Sequence, residues 1–237
     1  MLSAQRRSSP YRNQLLAAMS RPDFALLEPS LRPLKLPLRH DMEHPNRPID
    51  AVYFMEAGIA SVVAVQPDTT SIEVGLVGPE GMTGTAVVLG GKQSPYATYI
   101  QVEGEGQRIT AGELRRAMDA SESLRALLLK FVQVFMVQTA QTAIANARFK
   151  IDQRLARWIL MAHDRIGDDT LTLSHEFLAL MLGVRRAGVT ESLQNLKRHK
   201  LIDTGRSQIR VLSRKGIEQA AGNSYGVPEK EYRRLIG

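Results

Sequence analysis

The stretch from Leu173 to Ile202 constrains this chain more than any other part of it. Ser174 is a residue type whose hydroxyl accepts a hydrogen bond from the first turn of a helix, and Phe177, Leu178, Met181 and Leu182 follow it at helical spacing. Gly183 breaks that pattern where a tight turn between helices needs positive φ. A second helix then runs from Arg185 or Arg186 to about Lys200, with Val189, Leu193 and Leu196 four and three apart on its inner side. Helix, short glycine-containing turn, helix is the unit that lays its second helix in a DNA major groove, with N-terminal side chains facing base edges.

The exposed N-terminal face of the second helix presents Arg185, Arg186, Thr190 and Glu191, which are assigned to base contact. Arginine suits this role because its planar fork reaches guanine O6 and N7 together. Phosphate contact falls to Ser174 and His175 at the start of the first helix, to Lys197, Arg198 and Lys200 at the far end of the second, and to Arg206. Arg206 lies in the turn Gly205-Arg206-Ser207, between the short apolar runs Leu201–Thr204 and Gln208–Leu212, which read as a two-stranded wing. Charge agrees. The chain carries +7 overall, and residues 185–215 hold nine basic side chains against Glu191 and Asp203. Residues 40–150, by contrast, hold nine basic against twelve acidic groups. Charge alone fits a solvated basic face as well as a polyanion partner. The helix pair and wing decide for nucleic acid.

Upstream the texture differs. Tyr11–Met19 reads as a short amphipathic helix. From Leu31 to about Ile109, short apolar runs (Ala51–Phe54, Ile59–Val65, Ile72–Val77, Tyr99–Val102) are split by Gly, Pro, Asp and Asn, the signature of several short strands in a sandwich or barrel. Gly78, Pro79, Gly81 and Gly84 crowd one loop, which needs special backbone geometry. A short helix is expected over Thr110–Met118 and a long one over Ser123–Ala147. In the long helix Leu124, Leu127, Phe131, Val134, Gln138, Gln141 and Ala145 recur at the three-and-four rhythm of a coiled-coil seam. At ~1.5 Å per residue it approaches 40 Å, more than a small β-domain needs for itself, so this seam is assigned to a dimer interface. Leu128 and Phe135 widen the apolar face. A further helix, Asp152–Arg165, turns Leu155, Trp158, Ile159 and Met161 inward and stops at Gly167-Asp168-Asp169.

The chain has no cysteine, which excludes disulfides, cysteine-ligated clusters, thiolate zinc sites and cysteine nucleophiles. His40 and His44 are four apart beside Asp41 and Glu43, but no further ligands are spaced to complete a metal site, and they read as loop histidines. Glu80 in the glycine-rich loop reads as a cap for backbone amides. No nucleophile elbow, phosphate-cradling loop or His-Glu-x-x-His is present. No metal, cofactor or enzymatic activity is expected. No apolar run reaches the ~18–20 residues that span a bilayer, and Met1–Arg12 lacks the apolar core of a secretory signal, so the expected location is the cytoplasm, without membrane contact.

With these parts in this order, the chain resembles the cyclic-AMP receptor protein/FNR (Crp/Fnr) superfamily of bacterial transcription regulators. The likeness is strongest in Leu-Ser-His-Glu-Phe-Leu-Ala-Leu-Met-Leu-Gly-Val-Arg-Arg-Ala-Gly-Val-Thr-Glu-Ser-Leu, from Leu173, and in Gln153–Met161. It implies an α+β fold: an N-terminal double-stranded β-helix (a cyclic-nucleotide-binding-like β-roll), a long dimerisation helix and a C-terminal winged helix-turn-helix. Domain bounds are placed at 1–120, 121–150 and 151–237. Many members of the family read DNA with Arg-Glu-x-x-x-Arg; the matching positions here are Arg186, Ala187 and Glu191, so only the first is kept. Cyclic-nucleotide binders hold the ribose with Gly-Glu and the phosphate with Arg-Ser or Arg-Thr; the corresponding positions here read Gly84-Thr85 and Ser94-Pro95-Tyr96-Ala97. The resemblance thus places an effector pocket at Gly84, Thr85, Tyr96 and Ala97, without the polar anchors for cyclic AMP.

The leading expectation is a sequence-specific DNA-binding regulator, a homodimer on a near-palindromic operator, whose sensor domain answers an effector other than cyclic AMP. Its candidate partners are double-stranded DNA, a second copy, RNA polymerase and a small molecule. A competing reading is a small-molecule-binding β-roll whose helical C-terminal domain serves a protein partner; a metal-dependent β-helix enzyme is a remote third.

Overall fold

The computed structural model describes residues 11–65 and 71–237, so most of the basic Met1–Arg12 stretch lies outside the described residues. The chain opens with α1 (Gln14–Ala18) and α2 (Arg21–Leu27), followed by β1 (Arg32–Leu36), β2 (Asp41–Glu43), β3 (Ala51–Ala64) and β4 (Ile72–Val77). After the glycine-rich loop come α3 (Thr85–Val88), β5 (Tyr96–Thr110), α4 (Ala111–Ala120) and α5 (Glu122–Arg148). The C-terminal part is α6 (Ile151–Ile166), β6 (Thr170–Thr172), α7 (His175–Leu182), α8 (Arg186–Arg198), β7 (Ile202–Gly205), β8 (Gln208–Val211), α9 (Arg214–Ala221) and α10 (Val227–Leu235).

The N-terminal part is an antiparallel sheet in the order β1-β5-β3-β4, with β2 also paired to β5. Its two central strands are far longer than the sequence suggested. Ala51–Phe54 and Ile59–Val65 are not separate strands: one strand, β3, runs through both and shifts register against β5 three times between Met55 and Ala60. Bulges of this kind bend a strand and raise its twist without ending it. Glu56, Ala57 and Gly58 therefore interrupt the hydrophobic pattern but not the strand. Along β3 the side chains alternate between two cores: Val52 and Phe54 join the helices α1 to α5, while Ala51, Tyr53 and Met55 pack with Leu36, Val77 and Ile100.

The helices begin where their caps dictate. Thr110 and Glu113 form a capping box at α4, and the Ser121 hydroxyl accepts the Leu124 N–H at α5. Asp23 from α2 accepts from both Ser121 and Ser123, pinning the α4–α5 corner. By length and composition alone α5 could cross a membrane, contrary to the expectation that no segment reaches that length. Here it is the central helix of the fold, packed on one side against β4, α4 and α10.

The C-terminal part is built on α6, whose Leu155, Trp158, Ile159 and Met161 enter one core with α7, α8, the wing and α9. That core does not stop at the expected domain boundary. Ile59, Val63 and Leu76 of the N-terminal sheet belong to the same cluster. The indole N–H of Trp158 donates to the fully buried Glu73 carboxylate of β4 at 2.8 Å, and Arg165 of α6 pairs with Glu80 of the glycine-rich loop at 2.7 Å.

Candidate nucleic-acid interface

The helix-turn-helix forms as its residues direct. The Ser174 hydroxyl accepts the Phe177 N–H at 3.1 Å and starts α7. Gly183 ends that helix at φ 60°, ψ 41°, the left-handed conformation open to glycine at little cost. Val189, Leu193 and Leu196 of α8 are buried, and Asn195 donates to Asp152 at 2.6 Å, which ties α8 to α6. The Arg154 guanidinium donates to the Leu182 carbonyl and so caps the end of α7. The wing forms too, with one strand more than expected: β6 pairs with β8, giving a three-stranded sheet in the order β6-β8-β7.

The outward face of α8 carries Arg186, Ala187, Thr190, Glu191 and Gln194, which line one shallow concave surface. They stand at i, i+1, i+4, i+5 and i+8, a single helical face. Gln194 is absent from the sequence-based assignment, although its position four beyond Thr190 was signal enough. Arg185, the N-cap of α8, is exposed beside this face. Arg186 rests on Glu176 of α7 at 3.2 Å, an exposed pair worth about 0–1 kcal/mol and easily exchanged for another acceptor. Thr190 donates to the Arg186 carbonyl and lies 3.2 Å from the His175 ring.

The residues assigned to phosphate surround that face. Ser174 and His175 sit half-buried at the start of α7; Lys197, Arg198, Lys200 and Arg206 are exposed, Arg206 at the turn of the wing. Lys197 pairs with Asp203 at 2.9 Å, and the hydrogen bond from that ammonium holds the Asp203 carboxyl below its usual range. Both partners of the pair are half-exposed.

The long helix requires a correction. Of the seven seam residues, Leu124, Phe131, Val134, Gln138 and Ala145 are buried within this single chain, and Leu127 and Gln141 are half-buried. The reason is clearest at Gln138, whose side-chain amide accepts from the Leu76 N–H at 2.6 Å and donates to the Leu76 carbonyl at 3.2 Å. It completes the hydrogen bonds of β4, an edge strand of the sheet. The face of α5 left open lies two residues further on: Ala126, Leu129, Met136, Ala140, Ala143 and Ala147 are exposed with the same alternation of three and four, while Gln133, in register with them, donates to Glu231 of α10. Met136 and Leu129 are 63% and 41% exposed.

The expected effector pocket is a cavity of about 220 Å³ between the sheet and α3. Gly84, Thr85 and Tyr96 line it; Ala97 does not. Gly84 holds φ 73°, and a Cβ there would stand 2.6 Å from the Val52 side chain. The charged group in its lining is one the sequence reading passed over as a loop residue. Glu43 is buried there, and its carboxylate accepts the Gly84 N–H at 2.8 Å. Burial pushes the Glu43 carboxyl up, against the lowering effect of the Gly84 and Thr98 hydrogen bonds. Among the described residues, no Lys or Arg lines the cavity. Among the described residues, no group of three His, Asp or Glu is arranged to hold a metal ion; His40 instead meets the Tyr53 ring edge-on.

Residues 153–220 match the family model for a Crp-like helix-turn-helix domain. The chain is 28% identical over 180 residues to the transcriptional regulator LdrP of Thermus thermophilus, a match covering 73% of this chain and 88% of that protein. Its fold is similar to that of TTHB099, a CRP-family transcriptional regulator from the same organism, at a TM-score of 0.68 and 22% identity over 80% of this chain and 96% of the other. It is similar also to FixK2 from Bradyrhizobium japonicum, at a TM-score of 0.69 and 14% identity over 81% and 98% of the two chains.

Proposed function

We propose that this chain, whose residues 153–220 match a Crp-like helix-turn-helix domain, is a transcription regulator of the Crp/Fnr type that binds a near-palindromic operator as a homodimer. Two α5 helices pair through the face of Ala126, Leu129, Met136, Ala140, Ala143 and Ala147. The two α8 helices then enter major grooves about one helical turn, ~34 Å, apart. The observation that carries this reading is the uncovered face of Arg186, Ala187, Thr190, Glu191 and Gln194, ringed by cationic side chains.

Arg186 reads a base, flanked by Arg185, Thr190 and Glu191, with Gln194 extending the footprint. Releasing Glu176 costs little, because an exposed ion pair is weak and a guanine edge offers Arg186 two acceptors. Ala187 replaces a carboxylate in the family pattern, so the operator differs at the base which that carboxylate would contact. Ser174, His175, Lys197, Arg198, Lys200 and Arg206 hold phosphates and fix register. Asp203 gives up Lys197 when a phosphate takes its place.

The sheet domain acts as sensor through the Gly84 cavity, and the bound species is not a cyclic nucleotide. The Glu43 carboxylate already occupies the Gly84 amide, where cyclic-nucleotide binders hold the ribose, and among the described residues no guanidinium lines the pocket to hold a phosphate. Selecting binding sites from a random DNA pool with the full chain, then titrating salt on the winning sequence, tests the proposal. A partly two-fold site whose affinity falls steeply with salt is the expected result. An unenriched pool, or affinity indifferent to salt, would overturn it in favour of a helical domain that meets protein.

A further inference from the structure

The chain does not end at the wing. α10 turns back over α5 and the glycine-rich loop. Its Tyr232 hydroxyl donates to the Glu80 carbonyl at 2.9 Å, and Gln133 of α5 donates to its Glu231 at 3.0 Å. Tyr232 and Ile236 pack onto the core of the sheet domain. Beneath this helix lies a cavity of about 260 Å³, distinct from the one beside Gly84.

Phe131, Val134 and Phe135 of α5 supply its apolar lining. The carboxylates around it are engaged. Glu80 pairs with Arg165, Asp164 takes Arg214 at 2.7 Å and the Tyr225 hydroxyl at 2.5 Å, and Glu229 accepts the Gly226 N–H at 3.0 Å. The unspent hydrogen-bonding capacity is that of donors. The Arg165 side chain is 8% exposed; its Nη atoms are committed to Glu80 and the Met161 carbonyl, but its buried Nε donates to nothing among the described residues. Arg233, exposed at the rim, is in no ion pair among the described residues.

We propose that this cavity is a second small-molecule site, which takes a monocarboxylic acid with an apolar or aromatic body. The body lies against Phe131, Val134 and Phe135. The carboxylate faces the guanidinium groups of Arg165 and Arg233, where a buried N–H without an acceptor carries a standing cost that an anion relieves. The ligand would touch the glycine-rich loop, α5, α6 and α10 together, so its occupancy bears on how the DNA-binding part sits against the sheet. The binding itself does not depend on the DNA-reading proposal.

The test is calorimetric titration of the full chain with naphthalene-2-carboxylate and with its neutral counterpart, naphthalene-2-methanol. One carboxylate per chain is expected to bind, with the alcohol weaker by about tenfold or more. Arg233→Gln, at an exposed position, should weaken the carboxylate several-fold and leave the alcohol unchanged; Val134→Phe should fill the cavity and abolish both. Should Val134→Phe fail to fold, Arg233→Gln decides alone. Equal binding of acid and alcohol, or no heat with either, would overturn the proposal. So would loss of binding in Thr85→Phe, which narrows the other cavity, with binding intact in Arg233→Gln.

Discussion

Replacing Glu73 by glutamine exchanges one oxygen for a nitrogen at a fully buried site, and it should change how stability depends on pH rather than the fold. Glu73 of β4 accepts hydrogen bonds from Ser61 and from the Trp158 indole. Arg157 and Arg165 lie close enough to attract its charge, and Tyr99 close enough to feel it. Burial outweighs all of these and raises its pKa from 4.5 to about 7. At 1.36 kcal/mol per tenfold change in proton affinity, that shift amounts to ~3 kcal/mol. The sign follows from linkage. Below about pH 4.5 the carboxyl is protonated in both folded and unfolded chains, and its full contribution is present. As pH rises from there to about 7, the unfolded chain releases the proton more readily than the folded one; stability falls, and the loss is complete once pH passes the folded value. Glutamine has no proton to lose and can keep the Trp158 bond through its carbonyl. Urea and thermal melts should therefore find Glu73→Gln close to the parent near pH 5 and more stable by ~1–3 kcal/mol near pH 8. For a chain of this size that is a rise in Tm of roughly 3–10 °C. A difference of the same size at both pH values, or a less stable variant near pH 8, would show that burial of charge is not what governs this residue.

Arg186→Ala should cost roughly 1–3 kcal/mol on the preferred operator and relax selectivity at one base pair, which fluorescence anisotropy over single-base operator variants reads directly. Uniform weakening over all sequences would instead move Arg186 to the phosphate backbone. Met136→Glu, on the open face of α5, should shift the sedimentation of the purified chain from dimer to monomer and remove the concentration dependence of its melting temperature. Leu128→Ala, with a side chain wholly buried against the sheet domain, should cost ~2–5 kcal/mol of stability. Titration with cyclic AMP should give no heat at micromolar concentrations; saturable micromolar binding would mean that Glu43 leaves the Gly84 amide when ligand arrives.

What the sequence disclosed follows from which signals are local. The cap at Ser174, the left-handed Gly183 and the wing turn are each decided within a few residues, and each formed as read. The face of α5 was not decidable in this way. From Leu127 to Val137 the helix is apolar almost all round. Residues two apart on a helix point in nearly opposite directions, so the buried and the open seam carry the same rhythm and only the neighbours distinguish them. β3 was cut in two because Glu56, Ala57 and Gly58 look like a turn, while three register shifts let the strand pass through them. Glu43 and Glu73 were invisible as buried acids because what buries and satisfies them is remote in sequence. Their partners, Gly84 and Trp158, lie 41 and 85 residues away. α10 carried local helix signals that went unread, Pro228 and Glu229 in its first turn and Arg233 and Arg234 in its last, but its contact with the sheet domain left no mark on local pattern.

The hydrophobic cluster that joins Ile59, Val63 and Leu76 to the helix-turn-helix core makes the contact between sheet and reading head a latch rather than a hinge. Swinging the head away strips three aliphatic side chains of their neighbours, at roughly 1.5–3 kcal/mol each if nothing re-covers them. An alternative orientation that leaves them in water would thus be occupied by well under 1% of molecules. Intermediate tilts gain nothing, since a close-packed contact is lost within about an ångström of separation. A signal that moves the reading heads must therefore supply a second resting place for the same three side chains. The number of arrangements open to the protein is then the number of surfaces that can receive them.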